Sequence, residues 1–97
     1  MARQVIWTYE ADTDLESIAT YIAKDSTFYA ATFVQRIRET SQTLKTLSER
    51  GRIVPEINES NIRELLVGNY RLIYKADSDR VTILALIHGA MDFKKLL

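Results

Sequence analysis

A chain of 97 residues, 46% hydrophobic and 27% charged, has the composition of one small globular domain spanning 1–97. It holds no apolar run near the ~20 residues that cross a bilayer, and Met1-Ala2-Arg3-Gln4 is no signal peptide, so a cytoplasmic protein without membrane contact is expected. Thirteen Lys+Arg balance thirteen Asp+Glu, which removes the basic excess of a nonspecific nucleic-acid binder; the absence of cysteine excludes disulfides and thiolate chemistry, a single histidine makes a zinc site improbable, and neither metal nor cofactor is expected.

Val5-Ile6-Trp7-Thr8-Tyr9 is β-branched and aromatic, which predicts a first strand. Thr13 followed by Glu16 fits a capping box, and Leu15, Ile18, Ala19 and Ile22 then fall on one helical face. Ser26 or Thr27 caps a longer helix whose stripe is Ala30, Phe33, Val34, Ile37, Ser41 and Leu44, with Gly51 as the stop signal. Two helices so close in sequence form an antiparallel hairpin. Residues 50–61 read as a connecting segment and 62–67 as a strand. Gly68-Asn69 makes a two-residue turn with glycine at positive φ, and Arg71-Leu72-Ile73-Tyr74-Lys75 is the next strand. Asp77-Ser78-Asp79-Arg80 is a further turn. Val81 to Ile87 is apolar on both faces apart from Thr82, the pattern of a central strand.

These elements predict an α+β fold in the order β-α-α-β-β-β. A two-helix hairpin packs on one face of a twisted, mainly antiparallel four-stranded sheet, and the other face stays partly open. A domain this small has limited stability alone, so a partner that covers exposed apolar area gains importance.

That order, together with Gly51-Arg52-Ile53-Val54-Pro55-Glu56, Arg63-Glu64-Leu65, Gly68-Asn69-Tyr70-Arg71-Leu72-Ile73-Tyr74 and the closing Ile87-His88-Gly89, resembles the RelE/ParE toxin superfamily over essentially the whole chain. The resemblance implies a bacterial growth-inhibiting toxin of a type II toxin–antitoxin pair, silenced by a cognate antitoxin, with a ribbon-helix-helix protein as the expected type. In the RelE branch members cut messenger RNA in the ribosomal A site without a metal. In the ParE branch they poison DNA gyrase and are not known to catalyse a reaction. A shared fold does not choose between these.

Arg71 is either a solvated strand charge or a phosphate contact, and arginine's forked donors suit the second role. The resemblance places it in the nuclease site. Arg63, Lys75 and His88 complete the basic and titratable groups available to a nuclease, His88 as acid or base near neutrality or as a partner of the neighbouring strand. Ala90 and Met91 stand where family members commonly carry arginines after His-Gly. Metal-free phosphodiester cleavage needs positive charge where negative charge develops, and one lost donor costs on the order of 10²–10³ in rate. The ParE branch accommodates a Met-Asp pair, as in Met91-Asp92. The sequence therefore leans towards a ParE-like gyrase poison; the alternative is a RelE-like ribosome-dependent endoribonuclease, attenuated or inactive.

Arg50 and Arg52 flank Gly51 as contacts to target or antitoxin, with Glu56, Glu59 and Glu64 neutralising much of that patch. Asp92 and Phe93 in the tail are further contact candidates. Of Trp7, Tyr9, Tyr21, Phe28, Tyr29 and Phe33, nearly all are expected in the core. Tyr29, off the helical stripe, is the one expected at the surface.

Overall fold

A computed structural model describes residues 2–91. The chain runs β1 (Gln4–Trp7), α1 (Tyr9–Ala23), α2 (Thr27–Gln42), a 3₁₀ turn (Thr43–Lys45), β2 (Arg52–Ile53), β3 (Ile62–Val67), β4 (Tyr70–Ala76) and β5 (Arg80–His88). The sheet has five strands in the order β1-β5-β4-β3-β2, one more than expected. The addition is β2, a two-residue edge strand that pairs Arg52 with Glu64 and Ile53 with Arg63. β1 is parallel to β5 and every other pairing is antiparallel.

Helix α1 starts earlier than the Thr13–Glu16 spacing suggests. Thr8 is its N-cap: the hydroxyl accepts from the Ala11 N–H at 3.0 Å and donates to the Ile83 carbonyl at 2.9 Å. That second bond ties the helix start to the sheet, so Tyr9 is helical and Thr13 lies exposed within the helix. Thr8→Ala is expected to cost about 1–2 kcal/mol, as lost caps do, and Thr13→Ala close to nothing; urea unfolding of the two variants checks the assignment. Ser26 caps α2 as expected, accepting from the Tyr29 N–H at 3.1 Å. α2 closes into the 3₁₀ turn well before Gly51, so that glycine is not its stop.

One core lies between the helices and the sheet, built from Ala11, Leu15, Ile37, Leu44, Leu72, Tyr74, Val81, Ile83 and Leu86. Ile83 and Leu86 share this face although three residues apart, because β4 pairs Ile73 with Ala85 and Tyr74 with Ile83, so that Leu84 is skipped. Beyond the end of β1, Asp14 of α1 accepts from the Leu86 N–H at 3.0 Å and satisfies an edge group there. The opposite face is less open than expected: Val54 and Ile57 cover Ile73, Ala85 and Ile87 in a second cluster. No helix among the described residues is long and apolar enough to cross a membrane.

Tyr74 ties the loop after α2 to the sheet. Its hydroxyl donates to the Ser48 carbonyl at 2.8 Å and accepts from the Gly51 N–H at 2.9 Å. Burial pushes the phenol above its ordinary value, so the folded state favours the neutral form. The sign follows: this contribution is complete below the unfolded phenol's pKa of about 10 and disappears as pH rises through the higher folded value. Tyr74→Phe is expected to lose about 1–3 kcal/mol at neutral pH, because a buried carbonyl and N–H lose their partner, and to flatten the alkaline limb. Urea unfolding across pH measures both.

Candidate functional site

The Gly68-Asn69 turn sets the geometry. Gly68 takes φ +59° at the first turn position, and the hairpin then pairs Val67 with Tyr70, Leu66 with Arg71 and Glu64 with Ile73. Residues directly across a ladder share a face, as do diagonal neighbours two along. Glu64 and Arg71 are such a diagonal pair, on the face away from the helices, and β2 sets Arg52 opposite Glu64. Glu56 reaches the same place from the segment between β2 and β3.

Their side chains form one connected set of charges. Arg71 Nε donates to Glu64 Oε1 at 2.5 Å. Its Nη1 and Nη2 donate to Glu56 Oε2 and Oε1, each at 2.8 Å, as a two-pronged fork. Nη1 also donates to the Met91 carbonyl at 3.0 Å. The second Glu64 oxygen accepts from Arg52 Nε at 2.5 Å. Arg71 is 5% exposed and Glu64 0%; Glu56 is 20% and Arg52 59% exposed, so the set runs from the interior to the surface. The hydrogen-bonded Glu56 carboxylate raises the Arg71 pKa above its already high ordinary value against the opposing cost of burial, and Glu64 adds to the rise. Among the described residues, the two guanidinium and two carboxylate groups of the site balance in charge.

Arg71 is thus neither a solvated charge nor an open phosphate contact. It is a buried cation whose fork is filled from within.

The other nuclease candidates do not gather round it. Arg63 lies opposite Tyr74 on the helix side of the sheet, and its guanidinium donates to the carbonyls of Gly51 and Ser60, both at 3.0 Å. His88 lies opposite Tyr70, also on that side, with its ring edge-on to Tyr70 at 5.6 Å and Nδ1 accepting from the Ala90 N–H at 3.2 Å. Lys75 shares the Arg71 face but stands four residues along the strand, roughly 13 Å at strand rise. Met91 contributes only its carbonyl at the position where a family arginine is expected.

Among the contact candidates, Arg50 is exposed and donates to Thr43 Oγ1 at 3.0 Å, whereas Arg52 belongs to the Arg71 site. Tyr29 is exposed as expected, edge-on to Phe28 at 5.7 Å. Asp92 and Phe93 lie outside the described residues. The core reading of the other aromatics needs correction: Tyr9, Tyr21 and Phe28 are exposed with Tyr29. Tyr21, Phe28 and Tyr29 flank the turn that joins the helices. Trp7 is half-buried, with the Arg38 guanidinium 4.3 Å from its ring centre. A groove of about 440 Å³ runs past Ile18, Tyr21, Tyr70, Leu86 and Met91. Another, open to the surface between the helices, measures about 620 Å³ and is lined by Leu15, Ala19, Ala23, Ala30 and Val34.

Glu56 and Glu64 are the residues of this site that the sequence places incompletely. Glu64 does neutralise Arg52, as expected, but its other oxygen and both Glu56 oxygens accept from Arg71. The Glu64 pairing was available from the two-residue turn, which fixes the diagonal.

Comparison with known proteins places this architecture. The family model described as "ParE toxin of type II toxin-antitoxin system, parDE" matches residues 5–93. Toxin RelE2 of Caulobacter vibrioides is 32% identical over 88 residues, covering 90% of this chain and 96% of that protein. Among solved structures, the chromosomal ParDE toxin–antitoxin system from P. aeruginosa superposes with a TM-score of 0.73 at 21% identity, covering 90% of this chain and 96% of that one. The RelBE2 toxin–antitoxin complex from Mycobacterium tuberculosis gives a TM-score of 0.66 at 22% identity, covering 91% and 99%. The structures support the fold, and the family match and the curated relative each span most of the chain: the protein is a toxin of the RelE/ParE superfamily and belongs to the ParE toxin family of type II toxin–antitoxin systems.

Proposed function

We propose that this toxin acts as ParE-type toxins do, by binding and poisoning DNA gyrase, and that a cognate antitoxin silences it. The observation that carries the reading is the filled fork of Arg71. Metal-free RNA cleavage needs cationic and proton-transferring groups directed at one phosphate. Here the strand arginine is neutralised by two carboxylates, Arg63 and His88 lie on the other side of the sheet, and Ala90 and Met91 bring no charge. Binding makes no such demand. A supercoiling assay with purified toxin tests it: inhibition that grows with toxin concentration is expected, and unimpaired gyrase at large molar excess overturns it.

The identity with Toxin RelE2 favours one rival, ribosome-dependent cleavage of messenger RNA. Toeprinting on translating ribosomes separates the two, since only the rival gives new 3′ ends inside A-site codons. In the binding reading, Ala90→Arg and Met91→Arg create no such ends, because Arg71 remains paired. The exposed tyrosines and the two apolar grooves support an antitoxin segment, extended or helical, lying across these surfaces. A ribbon-helix-helix antitoxin is the type proposed.

A further inference from the structure

Arg63, which has no part in the Arg71 site, stands at a separate place in the fold. At the end of the sheet opposite the Gly68-Asn69 turn, four segments surround a pocket of about 240 Å³. They are the arm before β1, the loop after α2, the start of β3 and the β4–β5 turn. Two half-buried arginines line the pocket, Arg3 and Arg63.

Both guanidinium groups are held by carbonyls and not by carboxylates. Arg3 Nε donates to the Asp77 carbonyl at 2.7 Å, and the Arg3 backbone N–H donates to the Lys45 carbonyl at 2.7 Å. Arg63 Nε and Nη1 donate to the carbonyls of Ser60 and Gly51, both at 3.0 Å. These bonds fix the two side chains but occupy neither terminal nitrogen of Arg3 nor Nη2 of Arg63. Among the described residues, no carboxylate forms an ion pair with either arginine. The wall holds a third unused donor. Ser48 is 4% exposed and its carbonyl accepts from Tyr74, yet its own hydroxyl has no hydrogen-bond partner among the described residues. A hydroxyl this far from water normally has one.

We propose that the Arg3–Arg63 pocket is a binding site for a small carboxylate, with the Ser48 hydroxyl as a further donor. Arginine's fork matches the two oxygens of a carboxylate, and donors that are already immobilised lower the entropic cost of binding. The volume is below that of pockets for drug-sized ligands, which restricts the occupant to a small acid or to one acidic side chain of a peptide. Glu49 and Asp77 line the same pocket. Their charges penalise a phosphate, which carries close to two charges at neutral pH, more than a singly charged carboxylate. The site is distinct from the Arg71 set and independent of which large molecule the toxin binds.

The test is a titration of uniformly ¹⁵N-labelled toxin with sodium acetate, against sodium chloride at matched ionic strength, following the arginine Nε–H signals. The Arg3 and Arg63 signals are expected to shift and saturate in acetate with an apparent Kd on the order of 10 mM, well within reach for so small a ligand. In chloride they should drift without saturating. Glu49→Gln removes an opposing charge and should tighten acetate about threefold. Arg3→Lys keeps the charge but not the fork and should weaken it at least about fivefold, Ser48→Ala should weaken it too, and Arg36→Gln, at the exposed surface of α2, should change nothing. Arg3→Gln/Arg63→Gln should abolish the response; if that variant does not fold, Arg3→Lys and Glu49→Gln decide. Identical behaviour in acetate and chloride overturns the proposal, as does Glu49→Gln without tightening. Inorganic phosphate that binds tighter than acetate overturns the assignment to a carboxylate. N-acetylglutamate α-amide distinguishes the sources: affinity equal to or above that of acetate assigns the site to peptide side chains, and weaker affinity to free small acids.

Discussion

Glu64→Leu is expected to destabilise the protein by about 3–5 kcal/mol, the range for breaking a buried ion pair from one side. The size comes from what stays behind. Arg71 keeps its fork on Glu56 but loses the Nε partner at the closed end of the site, where water does not reach the 5% exposed side chain. For a domain of this size the melting temperature should fall by roughly 4–8 °C per kcal/mol. The double variant Glu64→Leu/Arg71→Met discriminates more sharply. It removes both interior charges and leaves only Glu56 and Arg52, which reach solvent, so it should recover most of the loss, because apolar groups often replace a buried pair at little cost. Urea unfolding of the two singles and the double gives the coupling energy directly.

Gly51→Ala should be comparably damaging, at about 2–3 kcal/mol, the upper part of the range for overpacking. A Cβ at Gly51 would stand 2.5 Å from the Glu64 carbonyl oxygen and 2.7 Å from Tyr74 Oη. The first of these is backbone in β3, next to the edge strand, and cannot swing away. The second belongs to the hydroxyl that joins Ser48 to Gly51. The variant therefore strains the same strand that holds Glu64. In a Tyr74→Phe background the hydroxyl clash is gone and the carbonyl clash persists, so Gly51→Ala should cost less there but not nothing. Guanidinium unfolding of the four proteins resolves the two contributions.

Much of this was legible in the residues. The face alternation of Tyr70, Leu72 and Tyr74 against Arg71 and Ile73 follows from the strand period, and the two-residue turn at Gly68-Asn69 fixes the register that sets Glu64 diagonal to Arg71. The stripe of α2, continued by Leu44 in the 3₁₀ turn, marks Ala30, Ile37, Ser41 and Leu44 as buried because helical spacing leaves them no other face. Other features carry no periodic signal. β2 is two residues long, too short for alternation to show. The start of α1 depends on Thr8 meeting Ile83 across 75 positions of sequence, whereas Thr13 and Glu16 offer the same local pattern without that contact. Glu56 sits in an irregular turn with Asn58 at positive φ, and only the folded loop brings it to Arg71. The exposed aromatics were misplaced because composition says how much apolar surface a chain has, not which part a partner covers.

The central claim is that the Arg71 guanidinium is caged and so unavailable to a substrate phosphate. Hydrogen exchange of arginine Nε–H groups in uniformly ¹⁵N-labelled toxin tests it most directly. Arg71 should give one slowly exchanging Nε–H, shielded by Glu64, while arginines at the surface such as Arg36 exchange rapidly. An Arg71 Nε–H that exchanges as fast as theirs would show an open guanidinium and contradict the account.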